Sequence, residues 1–402
     1  MTDHHHIPRS SIARRGVRPT GRVHDVVVVG GRVAGAATAM LLARRGLDVV
    51  VLERSSEGSD TLSTHAMLRG GVLQLARWGL LDALVAAGTP PVRRTTFVVN
   101  GRRTEIRVKP AHGVDALYAP RRPVLDPLLA HAAVAAGAEL RHRRRVTELV
   151  WHGERVAGVR AVGPDGGEEI VRARLVIGAD GIHSTVARLA GAAITRRGTN
   201  ATACTYGYWS GIEADGYEWV FRADACSGVI PTNGGQCCIF ASGRRATIGR
   251  GGIGAIMRLV RLGDPELADR LARATPPAST RTWSGHPGFM RTASGPGWAL
   301  VGDAGYFKDP IGAHGLTDAL RDAELLARAI GSGFSSEAAL GAALAEYEVT
   351  RDRLSVPLFE TVDRIAANDW DDAEINELLL RLSSSMTDEV ELLAGLDEVA
   401  VA

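Results

Sequence analysis

Residues 24–53 decide the fold, and they read HDVVVVGGRVAGAATAMLLARRGLDVVVLE. The run at 24–29, which ends in four consecutive valines, predicts a short strand that is buried on both faces. The alanine-rich run that starts at Ala34 is typical of a helix, and Gly46 is a suitable residue to end it. A second apolar run follows and ends at Glu53. The stretch therefore predicts a β-α-β unit near the start of the chain.

The turn between this strand and this helix has the form that binds dinucleotides. In such folds the first glycine makes the tight turn, the last glycine lets the helix pack on the strand, and the helix N-terminus faces the pyrophosphate. A carboxylate at the end of the second strand, here Glu53, binds a ribose hydroxyl. Arg32 stands where the fingerprint has its middle glycine, and its guanidinium could contact a phosphate instead. The predicted contact residues are Gly30, Gly31, Arg32, Val33, Ala34, Gly35, Glu53 and Arg54.

Two later motifs repeat the order of strand, turn and helix. The first is GADGIHSTVAR at 178–188, in which Asp180 follows a buried strand. The second is WALVGDA at 298–304, where a buried strand ends near Asp303, followed by DPIGAHGL at 309–316. This glycine-rich loop opens onto a helix whose N-terminal amides and dipole favour negative charge. Together the three motifs predict one ligand that touches all of them.

Composition excludes several classes of protein. The chain has 402 residues, of which 45% are hydrophobic and 23% charged, as in ordinary globular proteins. Its formal charge of +2 gives no general field for binding nucleic acid, and no apolar run reaches the roughly 18 residues of a membrane span. The four cysteines show no C-x-x-C spacing, which predicts reduced thiols and a cytoplasmic protein. The histidines have no metal-binding spacing, so we expect no metal.

The three motifs, taken in this order, resemble the superfamily of flavoprotein aromatic hydroxylases (group A, single-component monooxygenases) and geranylgeranyl reductases. In that superfamily the three motifs together hold FAD. The resemblance covers about residues 24–345 and implies a Rossmann-like FAD-binding domain of the glutathione-reductase type. It implies that Glu53 binds the adenosine ribose, that Asp303 binds the ribityl chain, and that the loop at 310–316 lies against the isoalloxazine.

The resemblance implies further cofactor contacts outside these motifs. Arg122 matches the arginine of an R-x-x-L-x-x-x-L pattern near the flavin, and Val146 matches a backbone contact to adenine. Arg69 lies in a segment that resembles one running along the flavin, where it can bear on entry of the nicotinamide. Beyond the first motif, the cofactor residues so predicted are Arg69, Arg122, Val146, Asp180, Asp303, Pro310, Gly312, Ala313, His314, Gly315 and Leu316.

The predicted fold class is α/β, or α+β overall, with a discontinuous FAD-binding domain, a mostly antiparallel substrate domain and a helical C-terminus. We expect helices at about 69–87 and 123–136, whereas 191–287 shows little helical periodicity. The predicted boundaries are 1–23 for a disordered basic tail, 24–90, 112–190 and 288–345 for the FAD-binding domain, 91–111 and 191–287 for the substrate domain, and 346–402 for the helical region.

The resemblance implies an FAD-dependent monooxygenase. Such an enzyme takes hydride from NAD(P)H, forms a flavin C4a-hydroperoxide with molecular oxygen, and hydroxylates or epoxidises a small or medium apolar or aromatic molecule. His314, inside the flavin loop, could act as an acid, a base or a donor to substrate, and His65 is a second catalytic candidate. Each histidine could equally be a packed core residue. We interpret Tyr206, Tyr208, Trp209 and Trp219 as core or pocket wall rather than as groups that stack on a substrate.

Two other functions fit the same motifs. The first is an FAD-dependent reductase or dehydrogenase of an alkene such as a prenyl chain, and the second is a non-catalytic flavin-binding module that docks a partner through 346–402. A flavin-dependent halogenase is disfavoured, because Trp209 and Trp219 lie in no W-x-W-x-I-P element. Lys109 and Lys308 are also poor candidates for its catalytic lysine. The sequence specifies neither the nicotinamide, the substrate nor the oligomeric state.

Overall fold

The structure is a computed structural model that describes residues 18–396. The predicted basic tail falls largely on residues 1–17, which lie outside the described residues. The first strand begins at Arg18, earlier than the predicted start at His24. The additional residues pair in parallel with the strand Glu168–Gly178. Backbone hydrogen bonding therefore extends this strand beyond its apolar run.

The helices of the described residues differ from the prediction mainly in number. One helix was expected at 69–87, but Gly79 adopts a φ of +73° and separates two helices there. The helix predicted at 123–136 is confirmed with slightly earlier bounds. In chain order the helices are α1 Val33–Ala43, α2 Arg69–Arg77, α3 Leu81–Ala86, α4 Arg122–Ala135, α5 Thr185–Leu189, α6 Arg245–Ile248, α7 Ile253–Gly263, α8 Pro265–Arg273, α9 Gly315–Gly333, α10 Glu337–Ala366 and α11 Asp372–Ala394.

The strands of the described residues form three sheets. In chain order they are β1 Arg18–Val29, β2 Val49–Glu53, β3 Arg94–Val99, β4 Arg102–Arg107, β5 Glu139–His142, β6 Arg145–His152, β7 Arg155–Val162, β8 Glu168–Gly178, β9 Ile194–Arg197, β10 Ala203–Ser210, β11 Tyr217–Phe221, β12 Cys226–Thr232, β13 Gln236–Gly243, β14 Arg281–Trp283, β15 Phe289–Arg291, β16 Ser294–Gly295, β17 Trp298–Leu300 and β18 Tyr306–Phe307. The smallest sheet, β18-β15-β9, is antiparallel.

The first sheet has a parallel centre in the order β17-β8-β1-β2-β5. Helix α1 joins β1 to β2, which confirms the predicted β-α-β unit. Val26 and Val28 pack with α1 and α9 on one face, while Val27 and Val29 pack with the β6-β7 hairpin on the other. Burial on both faces explains why the last four residues of β1, Val26–Val29, form a continuous apolar run.

The second sheet has the order β14-β10-β13-β12-β11-β3-β4, and all its pairs are antiparallel except β11 with β3. Side chains alternate between its two faces, as in any strand. We call one side the aromatic face, which consists of Tyr206, Tyr208, Tyr217, Trp219 and Phe240. The aromatic face packs against residues from outside the second sheet, Ala66 and Ala313 among them.

The expectation of little helical structure in 191–287 was wrong, because α6, α7 and α8 occupy part of that range. Helices α7 and α8 cover the face of the second sheet opposite the aromatic face. Their buried residues recur at helical spacing, as Ile256, Leu259 and Val260 show. This helical spacing is present in the sequence, but the short strand-like runs on either side of it conceal the pattern.

The C-terminal helices complete the core. Helix α10 packs along α9, and α11 packs against α10 and α2. Its Val390 and Leu393 belong to the main core cluster. Among the helices of residues 18–396, none is both long enough and apolar enough to cross a membrane. The four cysteines are buried free thiols.

Candidate functional site

The three sequence motifs meet at one edge of the first sheet. Strands β17, β8, β1 and β2 are consecutive, parallel neighbours, so their carboxyl ends lie side by side. Asp303, Asp180, Gly30 and Glu53 lie at or just beyond these four ends. Ligands of open α/β sheets bind at this edge.

Close backbone contacts hold the motifs against one another. A Cβ on Gly30 would lie 2.4 Å from the carbonyl oxygen of Ala179, next to Asp180. A Cβ on Gly302 would lie 2.9 Å from the Cβ of Ala34, in the first turn of α1. The glycines are therefore required where the three motifs touch.

Gly35 provides the most demanding of these contacts and a first prediction. A Cβ there would lie 1.9 Å from the carbonyl oxygen of Gly30, so Gly35→Ala must shift α1 away from β1. We expect a loss of about 3 kcal/mol in the free energy of unfolding, measured by urea denaturation. Gly341→Ala is the control, because a Cβ there meets no atom within 4 Å, and we expect it to stabilise α10 by about 0.5–1 kcal/mol. Equal stability of the Gly35 variant and the unmodified protein would contradict this close packing.

Glu53 organises the first turn. Its Oε2 accepts a hydrogen bond from the backbone N–H of Gly31 at 2.7 Å, and its Oε1 accepts one from the N–H of Ser55 at 2.7 Å. The carboxylate is buried, and each oxygen keeps a second lone pair for a ligand. Arg54 is exposed beside it. Val146 lies in β6, two residues after Arg144, whose N–H donates to the Glu53 carbonyl oxygen.

Arg32 and Arg122 share one carboxylate. Nη1 of Arg32 donates to Oδ2 of Asp126 at 3.0 Å, while Nε and Nη2 of Arg122 donate to Asp126 at 2.7 and 3.0 Å. Arg32 also donates to Ser59 Oγ. Two cations and one anion leave a net positive charge beside the glycine turn, which suits a pyrophosphate. Asp126 was missed in the sequence, although it follows Arg122 at the i,i+4 spacing of helical ion pairs.

Asp180 is engaged by its own helix. Its carboxylate accepts hydrogen bonds from Ser184 Oγ at 2.5 Å and from the N–H groups of Thr185 and Val186 at 2.6 and 3.3 Å. Burial raises its pKa, although these donors act in the opposite direction. The bonds show a structural role for Asp180 at the start of α5, and a cofactor contact remains a prediction.

Asp303 lies between α1 and α9, in the turn that follows β17. Burial raises the pKa of Asp303 to about 6, although the positive charges of Lys308 and Arg122 act in the opposite direction. Each protonation state can hydrogen-bond a hydroxyl group. A ribityl chain is a ligand of that kind.

The loop that follows is tied to the second sheet by Asp309. Its carboxylate accepts hydrogen bonds from the N–H of Ile311 at 2.9 Å and from both the N–H and the hydroxyl of Thr202. Burial raises the pKa of Asp309 to about 6. Ala313 adopts a left-handed φ of +50°. Pro310 and Gly315 are exposed, whereas Gly312 and Leu316 are buried.

His314 points inward from this loop. Its Nε2 lies 2.6 Å from Oε2 of Glu389 in α11, and its side chain is 1% exposed. Burial lowers the pKa of His314, although Glu389 acts in the opposite direction. This placement supports the packing alternative for His314 over contact with a substrate.

His314 belongs to a buried ion network beneath the first turns of α9. Arg321 is fully buried and pairs with Asp318 at 3.0 Å, Asp322 at 2.7 Å and Glu389 at 3.3 Å, and Lys308 pairs with Asp318. Donor atoms of His314, Asp318 and Glu389 lie within 4.8 Å of one another, a spacing that could hold a metal ion. Two cations already neutralise these carboxylates, so we interpret the group as an ion-pair network.

His65 lies against the aromatic face. Its Nε2 is 2.6 Å from the Tyr208 hydroxyl, and the two rings stack with centroids 5.7 Å apart. A second tyrosine fixes the same segment, because the Tyr206 hydroxyl accepts from the N–H of Ser63 at 2.9 Å. Burial, followed by the charges of three nearby arginines, lowers the pKa of His65 to about 3. Its φ of +71° is unusual outside glycine, and such strain is typical of functional sites.

Arg69 turns away from the sheet edge. Its Nη1 donates to the carbonyl oxygen of Val114 at 3.1 Å and its Nη2 to that of Lys109 at 2.6 Å. The side chain thus fixes the segment 109–114 and does not join the converging motifs. A contact to nicotinamide remains a prediction.

The residues present fit an FAD molecule. No side chain caps α1 or α9, so their N-terminal N–H groups remain available to negatively charged parts of a ligand. Arg32 and Arg122 supply positive charge at the first of these termini. Glu53 and Asp303 supply carboxylates for hydroxyl groups. Together these groups match a pyrophosphate flanked by polyhydroxyl chains.

Comparison with known proteins agrees with this arrangement. A family model described as FAD binding domain matches residues 23–359. Digeranylgeranylglycerophospholipid reductase 2 of Methanopyrus kandleri is 33% identical over 316 residues, which cover 74% of this chain and 74% of that protein. The flavin-dependent brominase Bmp2 has a similar structure, with a TM-score of 0.77 and 19% identity over 94% of this chain and 95% of its own. PqsL of P. aeruginosa in complex with 2-aminobenzoylacetate has a TM-score of 0.76 and 22% identity over 89% and 100%. The two structural similarities concern the fold.

Proposed function

Since this chain belongs to the FAD binding domain family and is an FAD-dependent oxidoreductase, we propose that it is an NAD(P)H-dependent monooxygenase acting on an electron-rich, aromatic or apolar small molecule. The observation that supports this proposal most is the guanidinium of Arg121, which lies 3.6 Å from the centroid of the Tyr208 ring, beside His65. When bound, FAD supplies hydride acceptance from NAD(P)H and activation of molecular oxygen. The chain's own residues would orient the substrate, exclude water and move its proton.

The sign of this charge distinguishes the two reactions left open by the motifs. Arg122 is paired with Asp126, and Arg281 is paired with Asp60 at 2.7 Å. Of the three arginines near His65, Arg121 therefore supplies the uncompensated positive charge. Positive potential stabilises the anionic form of a phenol or enol, and an electron-rich carbon accepts electrophilic oxygen more readily. Reduction of an isolated alkene by proton addition instead builds positive charge on carbon. The charge of Arg121 would destabilise that carbon.

Tyr208 and His65 form the pair that would move a proton. The tyrosine hydroxyl lies 2.6 Å from Nε2 of His65. In the tautomer that carries its proton on Nδ1, a substrate hydroxyl could donate to Tyr208 while Tyr208 donates to His65. Burial raises the pKa of Tyr208, which keeps the hydroxyl protonated and able to act as this intermediary. The aromatic face supplies the apolar surroundings that exclude water.

Loss of the Tyr208 hydroxyl is therefore expected to slow turnover by about 100-fold, within the usual range for a group that transfers a proton. Tyr208→Phe should leave the FAD affinity unchanged. Tyr206→Phe is the matched control, because its hydroxyl lies on the same face but accepts from the backbone of Ser63. Turnover is measured as product formed, with a substrate whose conversion consumes oxygen in proportion to that product. Equal turnover of both variants and the unmodified protein would remove Tyr208 from the mechanism.

A reductase is the second candidate, and sequence similarity favours it. The Methanopyrus protein at 33% identity is named as a digeranylgeranylglycerophospholipid reductase. Tyr208 and His65 could also deliver the proton that accompanies hydride in saturating a carbon–carbon double bond. In this reading the arginines would serve to bind an anionic headgroup.

Isotope labelling separates the two candidates. Protein reconstituted with FAD is reduced anaerobically with NADPH or NADH and then given ¹⁸O₂ together with phenolic or polyprenyl substrates. Incorporation of ¹⁸O into a product supports the monooxygenase. Formation of a saturated product without ¹⁸O, in an amount equal to the reduced flavin consumed, supports the reductase. Absence of flavin reduction by either nicotinamide contradicts both assignments of the electron donor.

A further inference from the structure

Two neighbouring arginines at the start of α4 point to different parts of the molecule. Arg122 reaches Asp126 beside the glycine turn. Arg121 instead reaches the second sheet, where its guanidinium carbon lies 3.6 Å from the centroid of the Tyr208 ring. Its Nη1 donates to Oε1 of Gln236 at 3.1 Å. Arg121 thus lies at the aromatic face, while the next residue in the chain reaches the glycine turn.

Arg121 lacks the counter-ion that comparable arginines have. Arg122, Arg141 and Arg364 each hold a carboxylate through the edge formed by Nε and Nη2. Within residues 18–396, no carboxylate lies within 4.0 Å of the Arg121 guanidinium, and its buried Nε has no acceptor. A buried donor without an acceptor is costly unless a ligand completes it.

The surroundings of this free edge define what would bind there. The guanidinium lies on the Tyr208 ring, and the Tyr206 ring packs edge-on against Tyr208 with centroids 6.1 Å apart. Farther along the same apolar cluster are Trp219, Phe240 and Ala313. The Nε–Nη2 edge of a guanidinium matches the two oxygens of a carboxylate. A ligand with an apolar body and a carboxylate at one end satisfies both features.

We propose that Arg121 binds a carboxylate group of the substrate. The proposal rests on the proposed function, since it assigns the specificity of the same site. It restricts the substrate to acids whose aromatic or acyl part lies along the aromatic face. Arg121 is then a specificity residue, whereas Arg32 and Arg122 serve the cofactor.

Matched acids and amides test this role in the FAD-loaded protein. The probes are benzoate and benzamide, indole-3-acetate and indole-3-acetamide, and oleate and oleamide, each titrated calorimetrically and by the visible spectrum of the flavin. We expect at least one acid to bind 10-fold or more tightly than its amide. In Arg121→Gln this preference should fall below 3-fold, and Arg121→Lys should retain part of it. Arg364→Gln removes an equal charge at a remote surface ion pair and should retain all of it.

Each result decides the proposal independently of the reaction catalysed. It is overturned if no acid of the three pairs is preferred over its amide, or if Arg121→Gln preserves the preference. It is also overturned if Arg121→Gln weakens FAD binding as strongly as loss of Asp303 does, since Arg121 would then belong to the cofactor site. An acid preference in a protein that inserts no oxygen would leave Arg121 assigned and contradict only the monooxygenase.

Discussion

Asp303→Ala is expected to lose FAD while keeping its fold. The carboxylate lies at the turn where β17, α1 and α9 meet, and a hydrogen bond that involves a charged group contributes about 1.5–3 kcal/mol. The dissociation constant for FAD should therefore rise about 10- to 100-fold, measured by fluorescence titration of the apoprotein. Far-ultraviolet circular dichroism should stay unchanged, because alanine fits the 3-10 turn.

The control lies at the opposite edge of the same sheet. Asp48 precedes β2 and pairs with Arg22 and His24, far from the carboxyl ends of the strands. Asp48→Ala should leave FAD affinity within about 2-fold, since no ligand is expected at that edge. Equal affinity of Asp303→Ala and the unmodified protein would overturn the assignment of the third motif.

Local patterns were sufficient to predict the parallel centre of the first sheet and the motifs at its carboxyl edge. The apolar runs of β1 and β2 and the alanines of α1 are adjacent in sequence, so their order alone specifies a β-α-β unit. The three motifs could also be placed together, because parallel strands share one carboxyl edge. Gly79 was missed as a break between α2 and α3, since a left-handed glycine inside a periodic pattern looks like part of one helix.

Side-chain partners that are distant in sequence could not be predicted. The glycine-rich loop favoured a His314 that faces a ligand. In the structure its imidazole is buried against Glu389, which lies 75 residues later in the chain. The spacing of α9 gave no indication that Arg321 would be buried, because three carboxylates from two helices compensate its charge only after folding. The free edge of Arg121 also becomes visible only when its surroundings are known.

Removal of the Arg321 charge is expected to have the largest effect on stability. Arg321→Met keeps the volume of the side chain but leaves the carboxylates of Asp318, Asp322 and Glu389 buried with Lys308 as the remaining nearby cation of the network. Breaking a buried ion pair in this way costs about 3–5 kcal/mol, a large part of the roughly 5–15 kcal/mol available to a folded domain. Arg381→Met, at an exposed pair with Glu377, should cost less than about 0.5 kcal/mol.

The pH dependence of the free energy of unfolding tests whether the lost charge of Arg321 is what destabilises Arg321→Met. In the unmodified protein burial would raise the pKa of Glu389, but His314 and Arg321 outweigh it and lower this pKa to about 2. Its contribution is therefore complete above the ordinary pKa of a glutamate and is lost as the pH falls towards 2. Without Arg321 the buried carboxylates should have raised pKa values. The folded state then binds more protons than the unfolded state, so Arg321→Met should gain stability between pH 7 and pH 5.

Urea denaturation at pH 7, 6 and 5 measures this reversal. The double variant Arg321→Met with Glu389→Gln removes one of the uncompensated charges and should recover part of the lost stability at pH 7. If Arg321→Met alone fails to fold, the double variant still reports on the network. A loss that is the same at all three pH values, with no recovery in the double variant, would mean that Arg321 stabilises the protein through packing. The ion network beneath α9 would then have no electrostatic role in holding α11 and the flavin loop together.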